Sequence, residues 1–170
     1  PVGSGKSYLV MLPDILDILK SSSEYKILMP TDLISITHKQ FKDIQTLLID
    51  NGYDKNVVFH YQDWHNVITP ETRIVISCYD SLLKFQSYES THLICDEFVN
   101  ISKRLYGAIK PTNELRDLQD NFFSLISCNI CKFYDADIIP KLMNIIKVHS
   151  RKVFKIYKLE GYSQINNTIK

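Results

Sequence analysis

Short apolar runs alternate with segments of helical periodicity, and this alternation constrains the fold more than any other feature of the chain. The runs that predict strands are 25–29, which Pro30 is expected to stop, then 56–61, 73–77, 91–95, 132–134 and 152–159. Helices are predicted over 7–20, 33–50, 80–85, 113–127 and 138–147. Apolar strands separated by helices are typical of a mostly parallel sheet flanked by helices on both faces. We therefore predict an α/β fold.

Size and charge limit the classes of protein to which the chain can belong. The chain has 170 residues, of which 45% are hydrophobic and 23% are charged, as expected for one globular domain with a real core. A net charge of +1 provides no bulk field toward nucleic acid or an acidic membrane. No apolar run approaches the roughly 20 residues that span a bilayer, and no signal-peptide pattern opens the chain. We expect an intracellular protein with no membrane partner.

The four cysteines are interpreted as small buried thiols rather than as disulfides or metal ligands. Cys128 and Cys131 have the spacing of half a zinc site, but Cys78 and Cys95 do not form a second close pair. Cys131 also runs into a predicted strand, whereas a thioredoxin-like redox motif opens a helix. We predict no structural zinc.

The strongest chemical signal is the segment Gly3-Ser4-Gly5-Lys6-Ser7, which stands immediately before a predicted helix. Glycines at such a turn let backbone N–H groups surround phosphate oxygens, and the helix amino end adds its positive dipole. Lys6 neutralises charge on the β and γ phosphates, and the Ser7 hydroxyl can ligate magnesium. The alternative is a surface Gly-Ser turn that happens to precede a lysine.

A first pair of carboxylates, Asp96 and Glu97, follows the predicted strand 91–95. The carboxyl ends of parallel strands form the ligand edge of a sheet. Asp96 is therefore expected to face the magnesium held by Ser7, and Glu97 to polarise the attacking water. The alternative is a plain cap for the next helix, since carboxylates favour helix amino ends.

A second pair, Asp135 and Asp137, flanks Ala136 after the predicted strand 132–134. One is expected to sense the nucleotide side while the other engages a neighbouring lobe. Here too the alternative is an aspartate that caps the following helix.

Taken in order, these segments resemble the motifs of superfamily 2 helicases. The closest likeness is to the origin-of-replication-binding helicases of herpesviruses and other large DNA viruses. In that family the acidic pair is followed by an apolar residue, and Asp-Ala-Asp replaces the more usual Ser-Ala-Thr. The segments that carry the resemblance are PVGSGKS at 1–7, ILMPT at 27–31, IVISCYDSL at 74–82, DEFVN at 96–100 and YDAD at 134–137.

The resemblance implies a RecA-like P-loop NTPase lobe over 1–160, with a polar tail or the start of a linker to a second lobe over 161–170. The first glycine of the usual motif and the strand before it are expected to precede Pro1. The implied activity is that of an ATP-dependent DNA helicase in DNA replication, with ATP and Mg²⁺ as cofactors. DNA and a second RecA-like lobe of the same chain are the implied partners, in the nucleus or at a cytoplasmic replication site.

The resemblance also implies roles for individual residues. Glu97 and Lys6 are the catalytic pair, and Ser7 and Asp96 hold magnesium. The residues implied to hold phosphates are Val2, Gly3, Ser4, Gly5, Lys6 and Ser7. Those implied to couple hydrolysis to movement are Asp135, Ala136 and Asp137, and those implied to contact the nucleic-acid backbone are Pro30, Thr31, Ser77 and Ser81. The family often has arginine after the proline of this motif, where this chain has Thr31-Asp32.

Three alternatives remain. A superfamily 1 viral RNA helicase should carry Gly-Asp followed by Gln where this chain has Asp135-Ala136-Asp137. The second alternative is a P-loop nucleoside or nucleotide kinase, which needs an arginine-rich lid. The third is a non-catalytic P-loop module, which would not require the acidic pair. The arginine that stabilises transition-state charge is expected from the second lobe, because Lys103 and Arg104 are interpreted as a solvated basic pair.

Replacing Lys6 with alanine removes the cation predicted to hold the phosphates. We expect the Lys6→Ala variant to lose binding of magnesium ATP in a fluorescent-nucleotide titration. Unchanged affinity would refute the phosphate-binding role of the segment.

Overall fold

The computed structural model describes residues 10–62, 67–107, 112–135 and 140–149. The predicted phosphate loop over 3–7, with Val2 before it, lies outside the described residues. The same is true of Ala136, Asp137, the predicted strand over 152–159 and the tail over 161–170.

The described residues form five strands and five α-helices that alternate along much of the chain. The strands are β1 (Ile27–Thr31), β2 (Val58–His60), β3 (Ile74–Cys78), β4 (His92–Asp96) and β5 (Ile130–Tyr134). The helices are α1 (Leu12–Ser21), α2 (Ile34–Asp50), α3 (Phe98–Gly107), α4 (Asn113–Cys128) and α5 (Pro140–His149). Two 3-10 helices span Lys55–Val57 and Tyr79–Phe85, so the predicted helix at 80–85 has the tighter geometry.

The five strands form one sheet in the order β2-β3-β1-β4-β5, and every pairing is parallel. This confirms the predicted α/β fold with a parallel sheet. The last residue of β4, Asp96, lies opposite the last residue of β5, Tyr134. The carboxyl ends of these two neighbouring strands therefore lie side by side.

Alternating side chains of the strands enter two separate hydrophobic layers. Leu28, Val75 and Leu93 pack with buried residues of α3, α4, α5 and the second 3-10 helix. The strand side chains that alternate with these, including Ile27 and Ile74, pack with α1 and α2. Because a strand points successive side chains to opposite faces, the prediction of helices on both faces is confirmed.

Pro30 lies inside β1 and does not stop it, which corrects the predicted strand end. Ile27 donates its backbone N–H toward β3, to the carbonyl of Arg73 at 2.7 Å. Since N–H groups alternate sides along a strand, the nitrogen of Pro30 faces β4 instead. The β1–β4 pairing covers only Ile27 and Leu28. Proline therefore removes no hydrogen bond from the sheet at this position.

The stretch after the first acidic pair was not predicted as a helix, yet α3 begins at Phe98. Phe98 and Ile101 are fully buried, and Ser102 is nearly so. Positions three and four apart on one buried face are the spacing of an amphipathic helix. The signal was therefore present, although polar residues between those positions obscured it.

The cysteines are all free thiols, as predicted. Cys78 and Cys95 are buried, and burial raises the pKa of both thiols. Cys128 is exposed on the last turn of α4, which corrects its assignment as a buried thiol. Within the described ranges, no group of three or more His, Cys, Asp or Glu side chains could hold a metal ion.

Arg73, just before β3, anchors the carboxyl end of α1. Its guanidinium donates to the carbonyl of Leu19 at 3.1 Å, to that of Ser22, and to that of Tyr25 at 3.1 Å. The last carbonyls of a helix lack partners within the helix. A cation near them is also attracted by the negative end of the helix dipole. One side chain thus fixes α1 to the amino end of the sheet.

Replacing Arg73 with methionine should lower the free energy of unfolding by about 2–3 kcal/mol, because hydrogen bonds from a charged group are lost at a half-buried site. Urea denaturation followed by circular dichroism measures the change. Lys20→Met, at an exposed position in the last turn of α1, is the matched control and should change stability little. Equal losses in the two variants would contradict the anchoring role.

Candidate functional site

The carboxyl edge of the sheet collects acidic side chains from three adjacent strands, β1, β4 and β5. All five strands are parallel, so their carboxyl ends lie at one edge, where ligands of open α/β sheets bind. The carboxylates that end or follow these strands are Asp32, Asp96, Glu97 and Asp135. The structure thus brings together the described members of both predicted acidic pairs.

Asp96 lies on the face of the sheet covered by α1 and α2. It is two residues after Ile94, whose side chain packs in that layer, and side chains two apart in a strand share a face. Only 8% of Asp96 is exposed. The Nε2 of Gln40, in α2, donates a hydrogen bond of 3.0 Å to Asp96 Oδ2. A buried carboxylate is therefore held at the edge by a neutral amide.

Glu97 has a backbone conformation that is rare for a residue with a side chain. Its φ is +55°, in the left-handed region, which costs roughly 1–2 kcal/mol. Its N–H donates to the carbonyl of Tyr134 at 2.9 Å, and its own carbonyl accepts from the N–H of Asn100 at 3.0 Å. These bonds on both sides hold the sharp turn from β4 into α3. The backbone of Glu97 is thereby fixed at the ligand edge, and its side chain is half-buried there.

Asp135 caps α3, a helix that precedes it in the chain. Its Oδ2 accepts the backbone N–H of Val99 at 2.7 Å, in the first turn of α3. An N–H at this position has no partner within the helix. Asp135 thus joins the end of β5 to the helix that starts directly after Glu97, and the two acidic segments are connected through the amino end of α3.

Tyr134 and Lys132 of β5 fix the first turn of α1 beside the acidic pair. The Tyr134 hydroxyl donates to Asp14 Oδ2, and Lys132 Nζ pairs with the same oxygen at 3.0 Å. Burial, and then the hydrogen bond to Asp14, raise the pKa of Tyr134. Because Tyr134 lies opposite Asp96, the amino end of α1 is located at the same edge as Asp96.

The four residues predicted to contact nucleic acid lie near the ends of β1 and β3. Pro30 and Ser77 are register partners in the sheet. Thr31 and Ser77 are 1% and 0% exposed, and their hydroxyls donate to the carbonyls of Leu33 at 3.3 Å and Cys78 at 3.0 Å. Ser81, in the 3-10 helix, is partly exposed. Of these four side chains, Ser81 is the one that reaches solvent.

Arg104 forms ion pairs, which corrects its interpretation as half of a solvated basic pair. Its Nε lies 2.5 Å from Asp32 Oδ1, and its Nη1 lies 2.6 Å from Asp80 Oδ2. Partial burial opposes the charge, but the carboxylates of Asp80 and Asp32 outweigh it, so the pKa of Arg104 rises. Its neighbour Lys103 is exposed. Arg104 ties α3 to the segments that follow β1 and β3.

Sequence reasoning missed Gln40, the partner of Asp96. It belongs to a buried stripe on α2 with helical spacing, formed by Thr37, Gln40, Ile44 and Leu48. The two polar members lie in the amino-terminal half of this helix, which starts just after the carboxyl end of β1. The sequence signal for Gln40 was therefore a polar residue on an otherwise apolar helical stripe, at the end nearest the ligand edge.

No protein-family model matches the chain, and comparison with curated proteins finds no match. In the described part of the chain, no helix has the length and apolar character needed to cross a membrane. Function is therefore inferred from the residues at the carboxyl edge and their geometry.

Replacing Asp135 with alanine leaves the Val99 N–H without its acceptor. We expect the free energy of unfolding to fall by about 1–2 kcal/mol, as for the loss of a helix cap. Asp135→Asn keeps an acceptor oxygen and should lose clearly less. Urea denaturation of both variants measures the change. An Asp135→Ala variant as stable as the unmodified protein would show that the capping bond does not contribute to stability.

Proposed function

We propose that this chain is the ATP-binding, RecA-like motor lobe of an ATP-dependent DNA helicase of the replication-origin-binding type. One observation carries the proposal. The amino end of α1, which follows Gly-Ser-Gly-Lys-Ser closely in sequence, is tied by Asp14 to Tyr134 and so lies beside Asp96. A phosphate-binding loop before this helix would present its groups to the acidic pair.

The proposed roles follow from chemistry at this edge. Backbone N–H groups of residues 2–7 bind the phosphates, and Lys6 neutralises part of their charge. The carboxylate of Glu97 polarises and orients the water that attacks the γ phosphate. The left-handed backbone of Glu97, bonded to Tyr134 and Asn100, supports this role because costly conformations persist where function needs a fixed side chain.

The residues at the edge fit a magnesium ion. Mg²⁺ prefers oxygen ligands, and carboxylates above all. Asp96 would supply a carboxylate at the ligand edge, and Ser7 would supply a hydroxyl. When bound, the ion supplies neutralisation of charge on the phosphate oxygens. Gln40 holds Asp96 without adding a positive charge that would compete with the cation.

The contacts of α3 support coupling between the nucleotide and a second surface. Asp135 holds the amino end of α3 next to Glu97. Arg104, further along the same helix, holds Asp32 and Asp80. These two acids adjoin the residues proposed to contact DNA, of which Ser81 is partly exposed. Under this proposal DNA and a second RecA-like lobe are the partners.

Replacing Glu97 with glutamine keeps the shape of the side chain and removes its charge. We expect nucleotide binding to be preserved and the ATP turnover of the complete protein with DNA to fall by about 10²- to 10⁴-fold, the usual contribution of such a group. Steady-state phosphate release and a fluorescent-nucleotide titration measure the two effects.

Glu89→Gln, at an exposed position before β4, is the matched control and should leave both binding and turnover unchanged. Undiminished turnover in Glu97→Gln would exclude Glu97 from the hydrolytic step. No binding of ATP by the unmodified protein would overturn the proposed function as a whole.

A further inference from the structure

Gln40 is a polar side chain at a position where the core would accept an apolar one. It is 5% exposed and belongs to the stripe of α2 that includes Ile44 and Leu48. Buried amides persist where they are fully hydrogen bonded or where they serve a ligand. Nε2 of Gln40 donates one such bond, of 3.0 Å, to Asp96 Oδ2.

The orientation of the Gln40 amide follows from the chemistry of its partner. The Asp96 Oδ2 accepts the hydrogen bond, so the NH₂ group of Gln40 faces it. The carbonyl Oε1 is bonded to the same carbon and is therefore close by. Among the described residues, Oε1 is buried and has no hydrogen-bond partner. Gln40 thus has an unused buried acceptor next to the proposed magnesium ligand.

The buried hydroxyl of Thr37, one turn earlier on the same stripe, does have hydrogen-bond partners. Its hydroxyl donates to the carbonyl of Ile34 at 2.5 Å and lies 2.9 Å from Nε2 of His60. A buried acceptor left unused costs free energy. Unlike the Thr37 hydroxyl, Oε1 of Gln40 is available to a donor that the described residues do not supply.

Water bound to a magnesium ion is such a donor. Mg²⁺ dehydrates reluctantly and keeps several waters when it binds to one or two carboxylates. The lone pairs of those waters face the cation, so their hydrogens point outward and need acceptors. An acceptor that also fixes the ligating carboxylate is the usual outer partner of a metal site.

We propose that Gln40 is a positioning residue of the magnesium site. Its Nε2 orients the Asp96 carboxylate, and its Oε1 accepts a hydrogen bond from a water in the hydration shell of the ion. This inference rests on the proposed function, because it takes Asp96 as a magnesium ligand.

The test uses the full chain and a fluorescent, non-hydrolysable ATP analogue whose affinity is measured by anisotropy over a range of Mg²⁺ concentrations and in EDTA. Gln40→Met removes both polar atoms at nearly constant volume. We expect the Mg²⁺ concentration for half-maximal effect to rise about 10- to 100-fold, the usual consequence of losing an outer partner of a metal. The affinity in EDTA should not change.

Gln45→Met is the matched control, since Gln45 is a half-buried glutamine further along α2. It should reproduce the Mg²⁺ dependence of the unmodified protein. Circular dichroism and thermal unfolding verify the fold of each variant. If Gln40→Met does not fold, Gln40→Asn, which retains a shorter amide, should raise the half-maximal Mg²⁺ concentration in the same direction.

The outcomes separate this inference from the proposed function. Mg²⁺-dependent binding that is unaltered in a folded Gln40 variant overturns the role of Gln40 and leaves the proposed function intact. Equal weakening with Mg²⁺ and in EDTA assigns Gln40 a structural role and also overturns the inference. Nucleotide binding that is absent, or independent of Mg²⁺, in the unmodified protein overturns the magnesium site and the role of Gln40 with it.

Discussion

The arrangement of the candidate site depends on the contacts of one residue at the end of β5. Tyr134 donates its buried hydroxyl to Asp14 in the first turn of α1, and its carbonyl accepts the N–H of Glu97. A buried hydroxyl or carbonyl needs a partner, so α1 and the turn after β4 are both constrained by the same residue. The distance between the amino end of α1 and the acidic pair is therefore set by the end of β5.

The left-handed turn at Glu97 requires support from its surroundings, and α3 supplies it. Asp135 holds the amino end of α3 through Val99, and Arg104 holds a later turn through Asp32 and Asp80. A helix fixed at two separate places resists the rotation that would relax a strained residue just before it. The strain at the acidic pair is thus balanced by ion pairs located at the ends of other strands.

The layers of the fold could be predicted because each strand carries its own pattern, and so could the location of Asp96, because parallel strands share one carboxyl edge. Pro30 was misjudged because its tolerance depends on which neighbour faces its nitrogen. Gln40 and Asp96 are 56 residues apart in sequence, and Arg104 and Asp80 are 24 apart. Such contacts depend on how helices cross the sheet, which local periodicity does not specify.

The different partners of Asp32 and Asp96 explain how acids at the ends of the neighbouring strands β1 and β4 acquire different properties. Arg104 compensates the charge of Asp32 directly. Gln40, by contrast, donates to Asp96 from a neutral amide, which orients the carboxylate without placing a positive charge on it. A lysine or arginine at position 40 would bind the same oxygen more strongly and would compete with any cation for it. Glutamine therefore orients a buried carboxylate and adds no competing positive charge, as the proposed magnesium site requires.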